Sequence, residues 1–369
     1  MKFYFLLPAL LFCLSQIKVA NAQSFADEDF YIVEDLSHSH FNNYGSPISL
    51  GTTQRKNFQL GLGQESIDST AASTKYADKD SNVLKLASVY SLNDQTKMQG
   101  RFNGEKQTTK YTDSTTAESE DTNSLFDFAV AHNLTEKNLI GFSISRDVQK
   151  TDDGTTNSKD TVLAANLATS YKIDGSTYGV GYIFRKLKVS NESLPTLTYG
   201  QFYFGFGKKI DDHTATEFLL EHSAKKKKEN SSGSLSKGQS TILTNKSILH
   251  MNQWQFKGIL SLGKFKSYEG SYDSSIFVLS PEAEYNLNPY YLGFGYIYAK
   301  SAIDSPTNTD DSKTSTHLFK FYAGSRMDKF DAKLTINFGK STDDYSDPTI
   351  IGDYYDKSKS ILGEIIFPL

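Results

Sequence analysis

Cysteine is almost missing from this chain of 369 residues: the one present, Cys13, lies inside the first apolar run. Beyond residue 22 no disulfide and no thiolate chemistry is available, which is unusual for an exported eukaryotic chain of this length. The Asn-x-Ser/Thr triplets at Asn133, Asn191, Asn230 and Asn245 then read as chance in a Ser/Thr-rich chain, and export across a bacterial inner membrane is the better reading. A charge excess of one sign is also missing. The formal net charge is −4, and losing Lys2 and Lys18 with a leader makes it −6, too small and too dispersed for a nucleic-acid partner. Long apolar runs are missing after residue 22, so no segment approaches the roughly 20 residues of a membrane helix. Mean hydropathy, −0.46, is that of a soluble chain. Neither test excludes a membrane β-barrel, in which only alternate residues of each strand need be apolar. Histidine is scarce and scattered, with no His beside a Ser or Asp of the kind a hydrolase needs. No catalytic residue, metal site or cofactor is expected. His38 and His40 lack a third ligand, and the glycines of Gly179-Val180-Gly181 and Gly205-Phe206-Gly207 fall on one strand row rather than in a phosphate loop.

What is present begins with a leader. Lys2 supplies the charge, Phe3–Leu14 the apolar stretch and Ala20-Asn21-Ala22 a small-x-small cleavage site, so residues 1–22 read as a signal peptide and Gln23 as the mature start. Leu10, Leu11 and Phe12 before Cys13 are not the small residues a lipoprotein site requires. Residues 23–56 open with Asp27, Glu28, Asp29, Glu34 and Asp35 and are expected to be a periplasmic or plug-like segment.

From Asn57 onward the period is two. Phe330, Ala332, Leu334, Ile336 and Phe338 alternate with Lys329, Asp331, Lys333, Thr335 and Asn337, which puts one row against an apolar medium and the other against water. This predicts strands over Thr316–Arg326, Lys329–Lys340 and Ser358–Leu369. Similar apolar rows recur back to Phe58, Leu60 and Leu62, through Phe126, Phe128 and Val130, Phe202, Phe204 and Phe206, and Trp254, Phe256, Leu260 and Leu262. The row near Ile242–His250 is poorly patterned. Tight turns are expected at Asn93-Asp94, Thr135–Lys137, Asp174-Gly175, Asp211-Asp212, Asn252, Asn288-Pro289 and Asp328. They alternate with long polar loops at 65–81, 106–122, 149–158, 190–195, 227–238, 267–274, 301–313 and 341–356. If the strands are antiparallel neighbours, all short turns lie at one end and all long loops at the other. The expectation is an all-β, up-and-down antiparallel transmembrane barrel of about 16 strands, with 14 or 18 as the adjacent even counts, over residues 57–369. A soluble sandwich or solenoid does not account for the alternation.

On this alternation and its aromatic rows, the chain resembles the bacterial outer-membrane β-barrel proteins, the porin-like ones in particular. In that family the last strand commonly ends on an aromatic residue; here Ile361, Gly363, Ile365 and Phe367 alternate as expected, and Pro368-Leu369 follow. The resemblance implies a multi-pass barrel in a Gram-negative outer membrane, with outer-membrane lipids, lipopolysaccharide and the assembly machinery as partners, and a homo-oligomer as an option. It implies passive diffusion of small hydrophilic solutes, including ions, and no catalysis. A plugged substrate-specific or hydrophobic-compound transporter and a surface adhesin or structural barrel are the alternatives. The polar row supplies the expected pore-lining residues: Lys97, Arg101, Asp127, Arg185, Glu217, Glu221, Lys257, Glu282, Glu284, Lys320 and Lys333. Lys225, Lys226, Lys227 and Lys228, at a loop mouth, are the candidates for contact with lipopolysaccharide phosphates.

Overall fold

The structure, a computed structural model, describes residues 57–368 except 72–73, 114–115, 155–156, 175, 189–196, 212, 229–234, 267–272, 305–310, 328 and 346–353. The leader, the segment 23–56 and the histidines His38 and His40 lie outside the described residues.

Sixteen strands follow one another: β1 (Asn57–Ala71), β2 (Thr74–Ser91), β3 (Thr96–Tyr111), β4 (Ser119–Asn133), β5 (Asn138–Asp152), β6 (Asn157–Ile173), β7 (Ser176–Lys188) and β8 (Leu197–Lys209). They continue with β9 (Thr214–Lys228), β10 (Leu235–Met251), β11 (Trp254–Lys266), β12 (Asp273–Leu287), β13 (Tyr290–Asp304), β14 (Ser312–Arg326), β15 (Asp331–Tyr345) and β16 (Tyr354–Pro368). Each pairs antiparallel with its sequence neighbours, and β1 pairs with β16 from Asn57↔Pro368 to Ala71↔Tyr354, which closes the sheet. Closure leaves no edge strand exposed. The fold is therefore an all-β, up-and-down antiparallel barrel, and no helix occurs among the described residues.

The turn chemistry fixes which end is which. Asn93 Oδ1 accepts the N–H groups of Gln95 (2.9 Å) and Thr96 (2.7 Å), and Thr135 Oγ1 accepts those of Lys137 (3.2 Å) and Asn138 (3.0 Å). Asp174 (φ 46°) and Asn252 (φ 54°) take the left-handed conformation that Asp and Asn tolerate better than most side chains. In the β8–β9 turn, Asp211 Oδ1 accepts the N–H of His213 at 2.8 Å, and that bond holds its carboxyl below the usual carboxylate range. These short turns share one end of the barrel.

At the other end the strands run further than the apolar pattern suggests. Most of the stretch 65–81, expected as a loop, is paired strand: β1 reaches Ala71 and β2 starts at Thr74. Likewise β3 and β5 extend to Tyr111 and Asp152, β15 runs on to Tyr345, and β16 begins at Tyr354. The alternation of grease and polarity stops where the apolar surroundings stop, but ladder hydrogen bonds continue above that level between Ser, Thr, Asp and Lys. An apolar period therefore marks the zone facing the apolar medium, not the whole strand.

The outward row forms an apolar belt. Phe202 (65% exposed), Leu62 (59%) and Phe126 (58%) are among many large apolar side chains on the outer surface, a distribution that water alone would not favour and bilayer hydrocarbon would cover. Aromatic rings collect at its short-turn rim, with Trp254 and Tyr285 4.8 Å apart, Tyr178 and Phe206 5.2 Å apart, and Phe58 facing Phe367 across the closure at 6.5 Å. β10 is the exception, and its weak pattern has a structural cause. Asn245 and Ser247 share the outward row with Leu243 and Leu249, and form a polar knot with Thr216 of β9: Asn245 Nδ2 donates to Thr216 Oγ1 (3.1 Å) and to the Glu217 carbonyl (2.9 Å).

Candidate functional site

The site such a barrel offers is its inner wall. Sixteen strands spaced about 4.8 Å apart and tilted about 40° would make a circular backbone ring about 32 Å across, and the inward side chains of this ring are for the most part buried, among them Ile183, Glu217 and Glu364. Each expected pore-lining residue, Lys97, Arg101, Asp127, Arg185, Glu217, Glu221, Lys257, Glu282, Glu284, Lys320 and Lys333, takes the inward row of its strand, opposite in phase to exposed apolar neighbours such as Phe126, Phe184, Phe218, Phe321 and Leu334. Lys225–Lys228 end β9, and their side chains lie outside the described residues.

The wall is not uniform, and its charges do not simply stand in the bore. From β11 through β14 to β16 it carries an ionic network. Glu282 sits at the centre: its Oε2 meets Lys320 Nζ at 2.6 Å and its Oε1 meets Lys257 Nζ at 3.6 Å. Side-chain exposure of all three is low, at 15%, 9% and 9% for Glu282, Lys320 and Lys257. The Tyr322 hydroxyl lies 2.9 Å from Glu282 Oε1 and 3.1 Å from Glu284 Oε2, sharing its one proton between two carboxylates. Glu284 also accepts from Arg326 Nη2 at 2.7 Å, and that guanidinium lies 4.2 Å over the Tyr291 ring. Lys333 reaches the face of Tyr322 at 4.4 Å, and its register partner on β16 is Glu364, which accepts from Gln59 Nε2 at 3.3 Å.

From β2 to β9 the inner wall mixes polar side chains with a buried apolar cluster. Val89, Leu125, Ala129, Ala131, Leu139, Ala164, Ala168, Ile183, Tyr203 and Leu219 form one buried cluster. Two polar pairs lie within this half: Arg101 Nε holds Asp127 Oδ2 at 3.0 Å, and Gln201 Nε2 donates to Glu221 Oε1 at 3.0 Å. Arg185, Glu217 and Glu221 are buried among these residues, while Lys97 stands at the short-turn end of β3, half-buried.

Tyrosine laid over glycine is the device that lets side chains lie along the wall. Tyr203 of β8 is the register partner of Gly181 on β7, Tyr322 of β14 of Gly293 on β13, and Tyr291 of β13 of Gly324 on β14. A Cβ built at Gly293 would stand 2.1 Å from Tyr322 Cζ, and one at Gly181 2.1 Å from Tyr203 Cζ. The missing side chain opens the groove in which the ring lies, and the ring then reaches across a strand: the Tyr203 hydroxyl donates to Asn166 Oδ1 at 3.2 Å. Gly293→Ala should therefore displace the Tyr322 ring from both carboxylates and destabilise the barrel by about 1–3 kcal/mol. Gly100→Ala and Gly258→Ala, whose Cβ atoms would meet nothing within 4 Å, should be neutral or slightly stabilising. Guanidinium unfolding of the three variants in lipid vesicles checks this, and equal costs at all three sites would refute the groove.

Reasoning from sequence missed the three inward tyrosines, Arg326 and the inward apolar cluster. A signal for the last was present: in Tyr182-Ile183-Phe184, Phe202-Tyr203-Phe204 and Phe218-Leu219-Leu220 both rows are apolar, so the inner face had to be apolar as well. The tyrosine–glycine contacts carried no such signal, because they exist only once the register between strands is set.

No protein-family model and no characterised protein matches the sequence. Solved structures do match in three dimensions. A monoaromatic hydrocarbon channel, TodX in a deltaS2 mutant form, superposes over 88% of this chain and 92% of its own with a TM-score of 0.50 at 12% identity. The fold is that of bacterial outer-membrane β-barrels. A Pseudomonas aeruginosa FadL homologue matches 88% of this chain and 93% of its own at 8% identity and a TM-score of 0.47, and P. aeruginosa OccD3 matches 85% and 91% at 12% and 0.42.

Proposed function

We propose that the protein is an outer-membrane channel through which small hydrophilic solutes, ions among them, move down their gradients, with no reaction catalysed. The carrying observation is the closed ring of sixteen strands, a strand number whose circumference suits a passage, behind an outward belt suited to hydrocarbon. The ionic network around Glu282 supports a charged stretch of wall along one side of the barrel interior, whose field would act on a passing ion although its two lysines are themselves nine-tenths buried. Selectivity then arises from wall charge and from whatever narrows the bore. The likeness of fold to a hydrocarbon channel supports transport as the general class and says nothing about the solute.

A second reading has its own observation. The buried apolar cluster around Ile183, Tyr203 and Leu219 favours a substrate-specific transporter whose cargo is partly apolar, with residues 23–56 as the plug. Planar-bilayer recording of the full chain and of a form lacking residues 23–46 separates the two. A diffusion channel should give stepwise conductance in both forms, and Lys97→Glu/Arg101→Glu/Lys333→Glu should move its ion preference towards cations. A plugged transporter should conduct only after the deletion. Silence in both forms, with the barrel shown to be folded by heat-dependent gel mobility, would overturn the channel reading and favour an adhesin or structural barrel.

A further inference from the structure

The charged side chains of the inner wall are of two kinds. On β12 both oxygens of each carboxylate are engaged, those of Glu282 by Lys320, Lys257 and Tyr322 and those of Glu284 by Arg326 and Tyr322. These carboxylates already have their partners. On β3, β4 and β5 the reverse holds: Arg101, Asp127 and Ser145 are successive partners in one inward cross-strand row, and the Arg101–Asp127 pair is made through Nε and Oδ2 alone. Arg101 Nη2, Asp127 Oδ1 and Ser145 Oγ are buried and have no hydrogen-bond partner among the described residues. All three side chains are enclosed, with 0% exposure for that of Asp127, 10% for that of Arg101 and 7% for Ser145.

A donor or acceptor withdrawn from water without a partner carries its full desolvation cost, so three in one row call for a partner from outside the wall. Their chemistry says which kind. Nε and Nη2 share one edge of the guanidinium, and a carboxylate bonded side-on commonly takes both. With only the Nε–Oδ2 bond closed, Nη2 and Oδ1 bound a wedge that opens away from it. A group in that wedge must accept from Nη2 and donate to Oδ1, which a hydroxyl does with a single atom. Neither a cation nor an anion suits the wedge, because the pair is neutral as a whole and one of its members repels either sign. Ser145 Oγ, next in the row, can give or take a second bond. The surroundings are small or apolar: Leu125 and Ala129 flank Asp127 along β4, and Ala164 follows Ser145 in the row. A carbon skeleton lies well on such a floor, whereas a pure hydrocarbon would leave the three polar atoms unsatisfied.

We propose that Arg101, Asp127 and Ser145 form a binding site for a neutral, polyhydroxylated solute, admitted by a swing of the Arg101 side chain, the most exposed of the three. The site rests on the diffusion-channel reading and gives that passage a preferred class of cargo. Isothermal titration calorimetry on the full chain folded in detergent micelles tests it with three five-carbon probes: xylitol, the dianion glutarate and the dication 1,5-diaminopentane. Xylitol should bind about tenfold or more tighter than either ion. Ser145→Ala should weaken xylitol by about threefold to tenfold, the worth of one hydrogen bond, and should leave the unliganded barrel as stable as before, because the hydroxyl removed has no partner in the wall. Arg101→Met/Asp127→Leu should abolish the preference, and Ser280→Ala, on the inward row of β12, should leave it intact. Equal binding of the three probes, an unchanged xylitol affinity in Ser145→Ala, or a clear loss of stability in that variant would overturn the proposal, the last by showing that the hydroxyl is held by an internal water only. Should the double variant fail to fold, the three probes on the unaltered protein and on Ser145→Ala still decide. A barrel that conducts in planar bilayers yet does not prefer xylitol defeats this site alone, whereas one that binds xylitol and never conducts defeats the channel reading beneath it.

Discussion

Glu282→Met should be among the most damaging single substitutions in the barrel, costing about 3–5 kcal/mol, because it strands buried lysines rather than because it removes a favourable pair. Lys257 and Lys320 both face this carboxylate, and both side chains are nine-tenths buried, so neither ammonium can recover its lost partner from bulk water. The Tyr322 hydroxyl would retain Glu284 at 3.1 Å, which confines the damage to the two lysines. The triple variant Glu282→Met/Lys257→Met/Lys320→Met removes the two buried cations together with the carboxylate they share and should recover most of the stability, since well-packed apolar groups of similar volume commonly equal a buried ion pair. Guanidinium unfolding in lipid vesicles gives both numbers. A triple variant as unstable as the single one would mean that Glu282 acts through shape rather than charge.

The contrast between these residues and their neighbours shows what was legible in the sequence. That Glu282, Lys320 and Lys333 face inward follows from the two-residue period alone, and so does the architecture: once turns such as Asn93-Asp94 and Asp174-Gly175 alternate with longer polar stretches, an antiparallel meander has short connections at one end only. Period says which way a side chain points, but not what lies over it. Thr335 takes the polar row and is 2% exposed, because its register partner on β14 is Tyr322, whose ring lies along the wall. Glu282 and Lys320 stand on different strands with β13 between them, and their meeting depends on a register that no single strand encodes. The strand ends were hidden for another reason. Above the apolar zone both rows of β1, β2 and β15 are polar, so the period that identified them vanishes while the hydrogen bonds persist.

Leu334→Arg tests the other face of the same strand. Leu334 is 46% exposed on the outward row, between Ala323 of β14 and Gly363 of β16, and no side chain on either partner is long enough to shield a new charge from whatever surrounds the barrel. If hydrocarbon surrounds it, arginine there should cost about 2–4 kcal/mol, the depth-dependent penalty of a cation near the middle of a bilayer. The cost should fall towards the long-loop rim: Phe338→Arg should be milder because the side chain can snorkel to the level of Lys340, and Lys340→Arg should be near zero because that position already holds a cation. The gradient is more informative than any one value. Loss of packing alone would follow the volume of the residue removed and make Phe338 the costliest of the three, whereas a bilayer orders them by depth with Leu334 first. Unfolding measured in vesicles and again in a short-chain detergent adds a further condition, since thinner and wetter surroundings should flatten the series. A series that follows side-chain volume in both media would mean that the apolar belt is covered by something other than lipid.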